Sequence, residues 1–238
     1  MGEIISDALS SDGGEMAKAR FKPIWLVYIA LALFLIIVAA FVIFRPILVL
    51  PRITLAPGYT LTDQDGQRLT NEDMRGKIVL YNIAHTNCQP PCGQTSRTMK
   101  EVQARLDEID SSAYPIEFVT ISLDPDNDTP KVLRAYAESL EADFDIWHFV
   151  TGPTDRLKMI VGGGFNVYFD HKADGRLVYD PALMLVDGIG ILRAEYITGD
   201  PGAERILRDM QYLLDEIENS EGANKLAYEA AHLFLCYP

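Results

Sequence analysis

The 238-residue chain is short of the groups that most often announce a chemistry: three cysteines and four histidines in all. No C-x-x-C-H is present, which excludes covalent haem attachment of that type. No H-E-x-x-H is present either, nor a G-x-x-x-x-G-K-[ST] phosphate loop. The short GGGF at 162–165 makes no nucleotide site. Base is scarce as well, with 21 Lys and Arg against 34 Asp and Glu and a net charge of −13. Residues 1–52 hold five basic and four acidic side chains, a net of +1, so the remaining 186 residues carry −14. A domain so acidic is poorly suited to nucleic acid, whose phosphates call for Lys and Arg. No internal repeat of 20–50 residues is visible, which excludes solenoids and propellers.

The first thing that is there in quantity is hydrocarbon. Ile24 to Phe44 runs for 21 residues without a charge. At about 1.5 Å per residue a helix of that length matches the roughly 30 Å core of a bilayer. Trp25 and Tyr28 lie near one end, where aromatic rings favour the headgroup region. The run is too long for a signal-peptide core and follows a polar tail, so it is read as an uncleaved anchor. Lys18, Arg20 and Lys22 precede it, against Arg45 and Arg52 beyond it, which puts the N-terminus on the cytoplasmic side and the rest outside. The expected organisation is a polar tail over 1–23, an anchor over 24–50, a linker over 51–57, a folded domain over 58–220 and a helical extension over 221–238.

Within the domain, 59–83 alternates around an Asp-Gly turn signal and ends in the apolar run Ile78 to Ile83, a hairpin leading into a buried strand. Met99, Val102, Leu106 and Ile109 recur at helical spacing. IEFVTISL is a second buried strand, and TPKVLRAYAESL opens a helix with Thr-Pro. DIWHFVTG is a strand, and TDRLKMIV a short helix expected to stop at Gly162 to Gly164. YFDHKADGRLVYDP suggests a hairpin with His171 opposite about Val178. A further hairpin turns near Asp187-Gly188, then a helix carries Pro201 in its first turn. In the extension, Leu226, Ala230, Leu233 and Tyr237 form a stripe able to dock on the domain, the membrane or a partner. Strands alternating with helices and ending in a hairpin plus helix predict an α/β, thioredoxin-like fold with a mixed central sheet.

Cys88 and Cys92 sit between the first central strand and its helix, four positions apart. Unpaired N–H groups at a helix N-terminus stabilise a thiolate, the species that attacks disulfides and the soft ligand Cu(I) prefers. A structural disulfide is the alternative, but closing so small a loop restrains the unfolded chain little. Cys236 stands alone near the C-terminus.

TNCQPPCG, ISLDPDNDTPKVLRAYAESL and WHFVTG, in this order behind an anchor, resemble the Sco/SenC family of membrane-anchored copper chaperones. The resemblance covers roughly residues 24–165. It implies a thioredoxin-like domain outside the cytoplasm that delivers copper to the CuA centre of cytochrome oxidase, or keeps the cysteines of that centre reduced. Cys88 and Cys92 would be thiolate ligands of one copper ion. The family's third ligand is a histidine in Asp-His-Ser, whereas this chain reads LVYDPALMLVD, with Asp180 at the histidine and Pro181 at the serine. A carboxylate is hard and matches Cu(I) poorly.

The stretch DPALMLVD is also similar to the proline-bearing strand of thioredoxin-like reductases of the TlpA/ResA type, in which a proline faces the cysteines. His171 is one substitute ligand, if its hairpin folds over the cysteines, and His85, three residues before Cys88, another. His148 is expected in the core or facing a partner, and His232 lies far off on the extension. Three functions follow as expectations: a copper-binding assembly factor, a membrane-tethered thiol–disulfide oxidoreductase in which Cys88 attacks and Cys92 resolves, or a non-catalytic subunit of a respiratory or photosynthetic membrane complex. The acids of DPDND are expected to cap the helix that follows.

Overall fold

The computed structural model describes residues 23–44, 48–87, 93–112, 114–172, 174, 176–197, 201–219 and 225–234. The chain forms two compact units, Met1–Pro46 and Ile47–Pro238.

In the first unit, α1 (Pro23–Phe44) is 22 residues of helix without an acidic or basic residue in its end turns. Its side chains are described without a break over 24–40, and among the described residues no helix is long and apolar enough to cross a membrane.

The second unit is built on a mixed sheet whose strands are β1 (Thr54–Leu55), β2 (Thr60–Asp63), β3 (Arg68–Thr70), β4 (Ile78–Ala84), β5 (Ile116–Ser122), β6 (Trp147–Thr151), β9 (Ala182–Val186) and β10 (Ile191–Tyr196). They lie in the order β1-β10-β9-β4-β5-β6-β2-β3. β4, β5 and β6 run parallel, and β9 and β2 flank them antiparallel. Every residue of β4, β5 and β9 is buried, the continuous apolar run expected of strands covered on both faces.

Side-chain alternation divides the core. Leu80, Phe118, Trp147 and Phe149 pack under α2 (Gln94–Ala104), α3 (Pro130–Ser139) and α5 (Ala203–Asn219) through Met99, Leu133, Ile206 and Met210. On the other face Tyr81, Ile83, Val119 and Met184 meet Leu157, Ile160, Val161 and Phe165. A second, two-stranded sheet pairs β7 (Phe169–His171) with β8 (Leu177–Tyr179), and the buried Phe169 seats it on that same core. The α/β, thioredoxin-like arrangement is thus present.

Several local expectations need correction. α2 ends at Ala104 and Leu106 falls in a separate 3-10 turn, so the helical stripe is shorter than its spacing suggested. α4 (Thr154–Leu157) does not stop at the glycines but widens into a π-helical turn over Lys158–Gly164. Gly164 is needed there because an added Cβ would lie 2.3 Å from Cβ of Pro57. His171 stands opposite Leu177 rather than Val178. Pro201 precedes α5 by two residues. Residues assigned to a linker contribute β1, and Val49 and Leu50 before it are buried.

One buried ion network closes the fold. Arg193 of β10, 2% exposed, donates to Asp187 Oδ2 at 3.0 Å, Glu216 Oε2 at 2.5 Å and the carbonyls of Leu50 and Pro51 at 2.8 and 3.0 Å. Glu216 Oε1 lies 2.9 Å from His232 Nε2 on α6 (Lys225–Phe234). The C-terminal extension therefore docks on α5 of its own domain. Of its expected stripe, Tyr237 and the side chains of Leu226, Ala230 and Leu233 lie outside the described residues.

Candidate functional site

The site is built where β4 ends. Leu123 N–H donates to the Ala84 carbonyl at 3.0 Å, so β4 and β5 finish side by side. His85, Thr86 and Asn87 leave the sheet, and α2 starts at Gln94 after Gly93. Cys88 and Cys92, between these points, lie outside the described residues, as does Cys236. The frame around the pair is described.

Three groups of contacts make that frame. On the α2 face, the fully buried Asn82 donates through Nδ2 to Ser96 Oγ at 2.9 Å, and Tyr136 of α3 donates to the same oxygen at 3.0 Å. Asn82 Oδ1 and Thr95 Oγ1 are buried without partners. At the strand ends, Asp128 Oδ2 accepts from Thr86 N–H at 3.0 Å and Oδ1 from Thr86 Oγ1 at 2.5 Å. Ser122 Oγ also donates to Asp128 Oδ2.

On the opposite face the His85 ring meets the Tyr179 ring edge-on, centroids 5.5 Å apart. Burial raises the Tyr179 phenol well above its usual range, keeping it a neutral wall. The His85 pKa is lowered, chiefly by burial and further by the charge on His171; Asp128 and Asp124 oppose that shift. Its Nδ1 is buried and has no hydrogen-bond partner among the described residues. A neutral imidazole with an open ring nitrogen is the form that binds a metal.

The remaining expected residues sort themselves by position. Ile83 pairs with Ala182, the first residue of β9, so Pro181 and Asp180 come just before that strand, near the end of β4. Asp180 is exposed, and its N–H donates to the Tyr168 carbonyl at 3.1 Å. His171 is exposed on β7, its ring edge-on to Phe169 with centroids 6.2 Å apart. His148 Nε2 lies 3.0 Å from Glu117 Oε2, and Lys77 Nζ 2.9 Å from Oε1. His148 is thus half-buried against the Glu117 carboxylate. Among the described residues no three His, Cys, Asp or Glu side chains are grouped to hold an ion.

Asp128 was missed as a site residue and misread as a helix cap. Thr129 is the N-cap of α3, without a side-chain cap bond, and the Asp128 carboxylate turns to Thr86. Only the pairing of β4 with β5 reveals this, because Thr86 and Asp128 are 42 positions apart. Ser122 and Tyr179 became visible in the same way.

The SCO1/SenC family model matches residues 51–215. The SCO1 protein homolog of Bacillus subtilis (strain 168) is 32% identical over 94 residues, 40% of this chain. The match spans 47% of that relative's length, about half. A crystal structure of a SCO1/SenC family lipoprotein from Bacillus anthracis str. Ames superimposes with a TM-score of 0.60 at 27% identity, over 68% of this chain and 95% of the other. BsSco, a member of the Sco family of cytochrome c oxidase assembly proteins with a disulfide switch, gives 0.57 at 25%, over 68% and 94%. Bradyrhizobium japonicum ScoI with copper bound shares the fold, with a TM-score of 0.55 at 22% identity over 67% and 99%.

Proposed function

Because the chain belongs to the SCO1/SenC family, we propose that it is a membrane-anchored, copper-binding assembly factor for cytochrome c oxidase. It would deliver copper to the CuA site or reduce the cysteines there. The observation that carries this reading is the buried, unpartnered Nδ1 of His85, three residues ahead of Cys88. Two thiolates and a neutral imidazole are a soft donor set suited to Cu(I). Cys88 and Cys92 are the thiolate ligands, and His85 supplies the nitrogen in place of the family histidine. His171 is the second candidate for that place, on its charge coupling to His85. Asp180, exposed and hard, is the third. The anchor would be the charge-free run Ile24 to Phe44, whose 21 residues at about 1.5 Å each give about 32 Å as a continuous helix, close to the roughly 30 Å bilayer core. Its N-terminus is cytoplasmic and the thioredoxin-like domain extracytoplasmic.

One observation favours a second reading, a thiol–disulfide oxidoreductase. Pro181 immediately precedes Ala182, the β9 residue that pairs with Ile83 near the end of β4, a position from which it would steer a substrate strand. The Cys88 thiolate would attack a target disulfide, and Cys92 would release the target. Two electrons and two protons pass to the target dithiol as Cys88–Cys92 is oxidised.

The deciding experiment is competition for Cu(I) by the reduced full-length chain in detergent. One tight equivalent is expected, lost in Cys88→Ser and in Cys92→Ser. It should be weakened at least roughly 100-fold in His85→Ala, since loss of a first ligand exceeds the 10- to 100-fold cost of its supports. Weakening by His171→Ala instead would move the third ligand. No tight copper in the wild type would overturn the chaperone and leave the oxidoreductase.

A further inference from the structure

We infer that Asp128 is a positioning residue for the cysteine pair, acting through Thr86. The inference deepens the reading of the pair as a thiol and copper site and rests on it. Asp128 is fully buried, and both carboxylate oxygens are committed: to the N–H and hydroxyl of Thr86 and to the hydroxyl of Ser122. A buried carboxylate is costly unless its hydrogen bonds are complete. Here the cost is not offset by capping α3, because the carboxylate is aimed away from that helix's free N–H groups, across to the end of β4.

The chain it grips is the last described stretch before Cys88. Thr86 stands two positions before Cys88, and two residues span at most about 7 Å, so holding Thr86 bounds the reach of the chain that follows it. Ser122 fixes the other side: its hydroxyl donates to Asp128 and accepts from Asp124 N–H at 3.2 Å, while Asp128 N–H donates to the Asp124 carbonyl at 2.7 Å. The acidic turn is thereby a rigid bracket on β5. It holds the start of the cysteine turn in a fixed relation to His85 and to α2, as a thiolate–imidazole site requires.

The test compares Asp128→Ala, Asp128→Asn, Thr86→Val and Ser122→Ala in the full-length chain in detergent. Four quantities are read: amide exchange at Thr86, Cu(I) affinity, the midpoint potential of the Cys88–Cys92 couple, and Tm. Asp128→Ala is expected to speed Thr86 exchange by about 10- to 100-fold, the loss of a charge-assisted bond. It should weaken Cu(I) binding by a similar factor. Asp128→Asn should restore most of both, because the amide oxygen, in place of Oδ2, still accepts from Thr86 N–H and Ser122 Oγ, and the Thr86 hydroxyl can turn to accept from the amide nitrogen. Ser122→Ala, which removes one bond from the same carboxylate but leaves both of its bonds to Thr86, should lower Tm while weakening affinity and shifting the potential by less than Asp128→Ala does. Should Asp128→Ala not fold, Thr86→Val takes its place in the comparison with Ser122→Ala.

Unchanged exchange at Thr86 would overturn the inference. So would losses of affinity and potential that track Tm equally across Ser122→Ala and the other variants. If the wild type holds no Cu(I) through its cysteines, the proposed function falls, and exchange and potential still decide the role of Asp128.

Discussion

Single side chains around the end of β4 carry more than packing. Ser96 Oγ accepts from both Asn82 and Tyr136, so one hydroxyl joins β4, α2 and α3. Ser96→Ala strands two buried donors at once. It is expected to cost about 1–3 kcal/mol for each group left unpaired, measurable by urea denaturation. His85 has a pH signature. Its folded pKa is depressed below the unfolded value of about 6.5, so the unfolded chain binds the extra proton first. Stability is then fully present above pH 6.5 or so and declines as pH falls through the folded value. The metal-free protein should lose stability between neutral and mildly acid pH, and His85→Gln should flatten that part of the profile.

The same scale shows the limit of reading residues in isolation. His85 and Cys88 were recognisable by proximity in the chain. Asp128 was not, because its partner lies 42 positions away and the nearer use for an acid before Thr-Pro is a cap. The open Nδ1 of His85 is a property of burial, which no spacing rule reports.

At the scale of elements, the legible parts are those whose environment is uniform. β4 and β5 are buried on both faces and read as largely apolar, β-rich runs, and the Thr-Pro start of α3 fell where expected. The π-helical turn over Lys158–Gly164 was illegible because three successive glycines ordinarily end a helix; here packing on Pro57 overrides that preference. Gly164→Ala would force a Cβ against Pro57, and overpacking of about 1–3 kcal/mol is expected in thermal unfolding.

The Arg193 network makes a larger demand on the elements it joins. Removing one member of a buried ion group leaves the others uncompensated, so Arg193→Met should destabilise by about 3–5 kcal/mol. Burial tends to raise the Glu216 carboxyl, but hydrogen bonds and charge from Arg193, aided by His232, outweigh that and hold it below its ordinary 4.5. A depressed carboxylate contributes stability that is present above the unfolded value and lost as pH falls through the folded one. Acid unfolding of the domain should therefore begin below about pH 4.5, and Glu216→Gln should reduce its steepness.

For the whole molecule, the division into an N-terminal apolar helix and a separate folded unit was legible from composition, since a charge-free run and an acidic remainder differ at sight. The reading predicts that the full chain floats with phosphatidylcholine vesicles, whereas a variant lacking Pro23–Phe44 stays at the bottom of the gradient. Flotation of the deleted form would remove α1 from that role. Nothing in the composition signalled that Leu50 and Pro51 are gripped by Arg193, because that contact joins the beginning of the domain to its end.

The strand order also sets a timetable. β1 pairs only with β10, Thr54 against Leu192, so the first strand to be synthesised has no neighbour until the tenth exists. At about 5–20 residues per second that interval is roughly 7–28 seconds. Throughout it β1 offers unpaired backbone groups and the exposed side chains of Ile53 and Leu55, the features that recruit foreign strands. A nascent chain stalled before residue 191 would thus be the form most in need of a holdase, and the emergence of β10 is what ends that need.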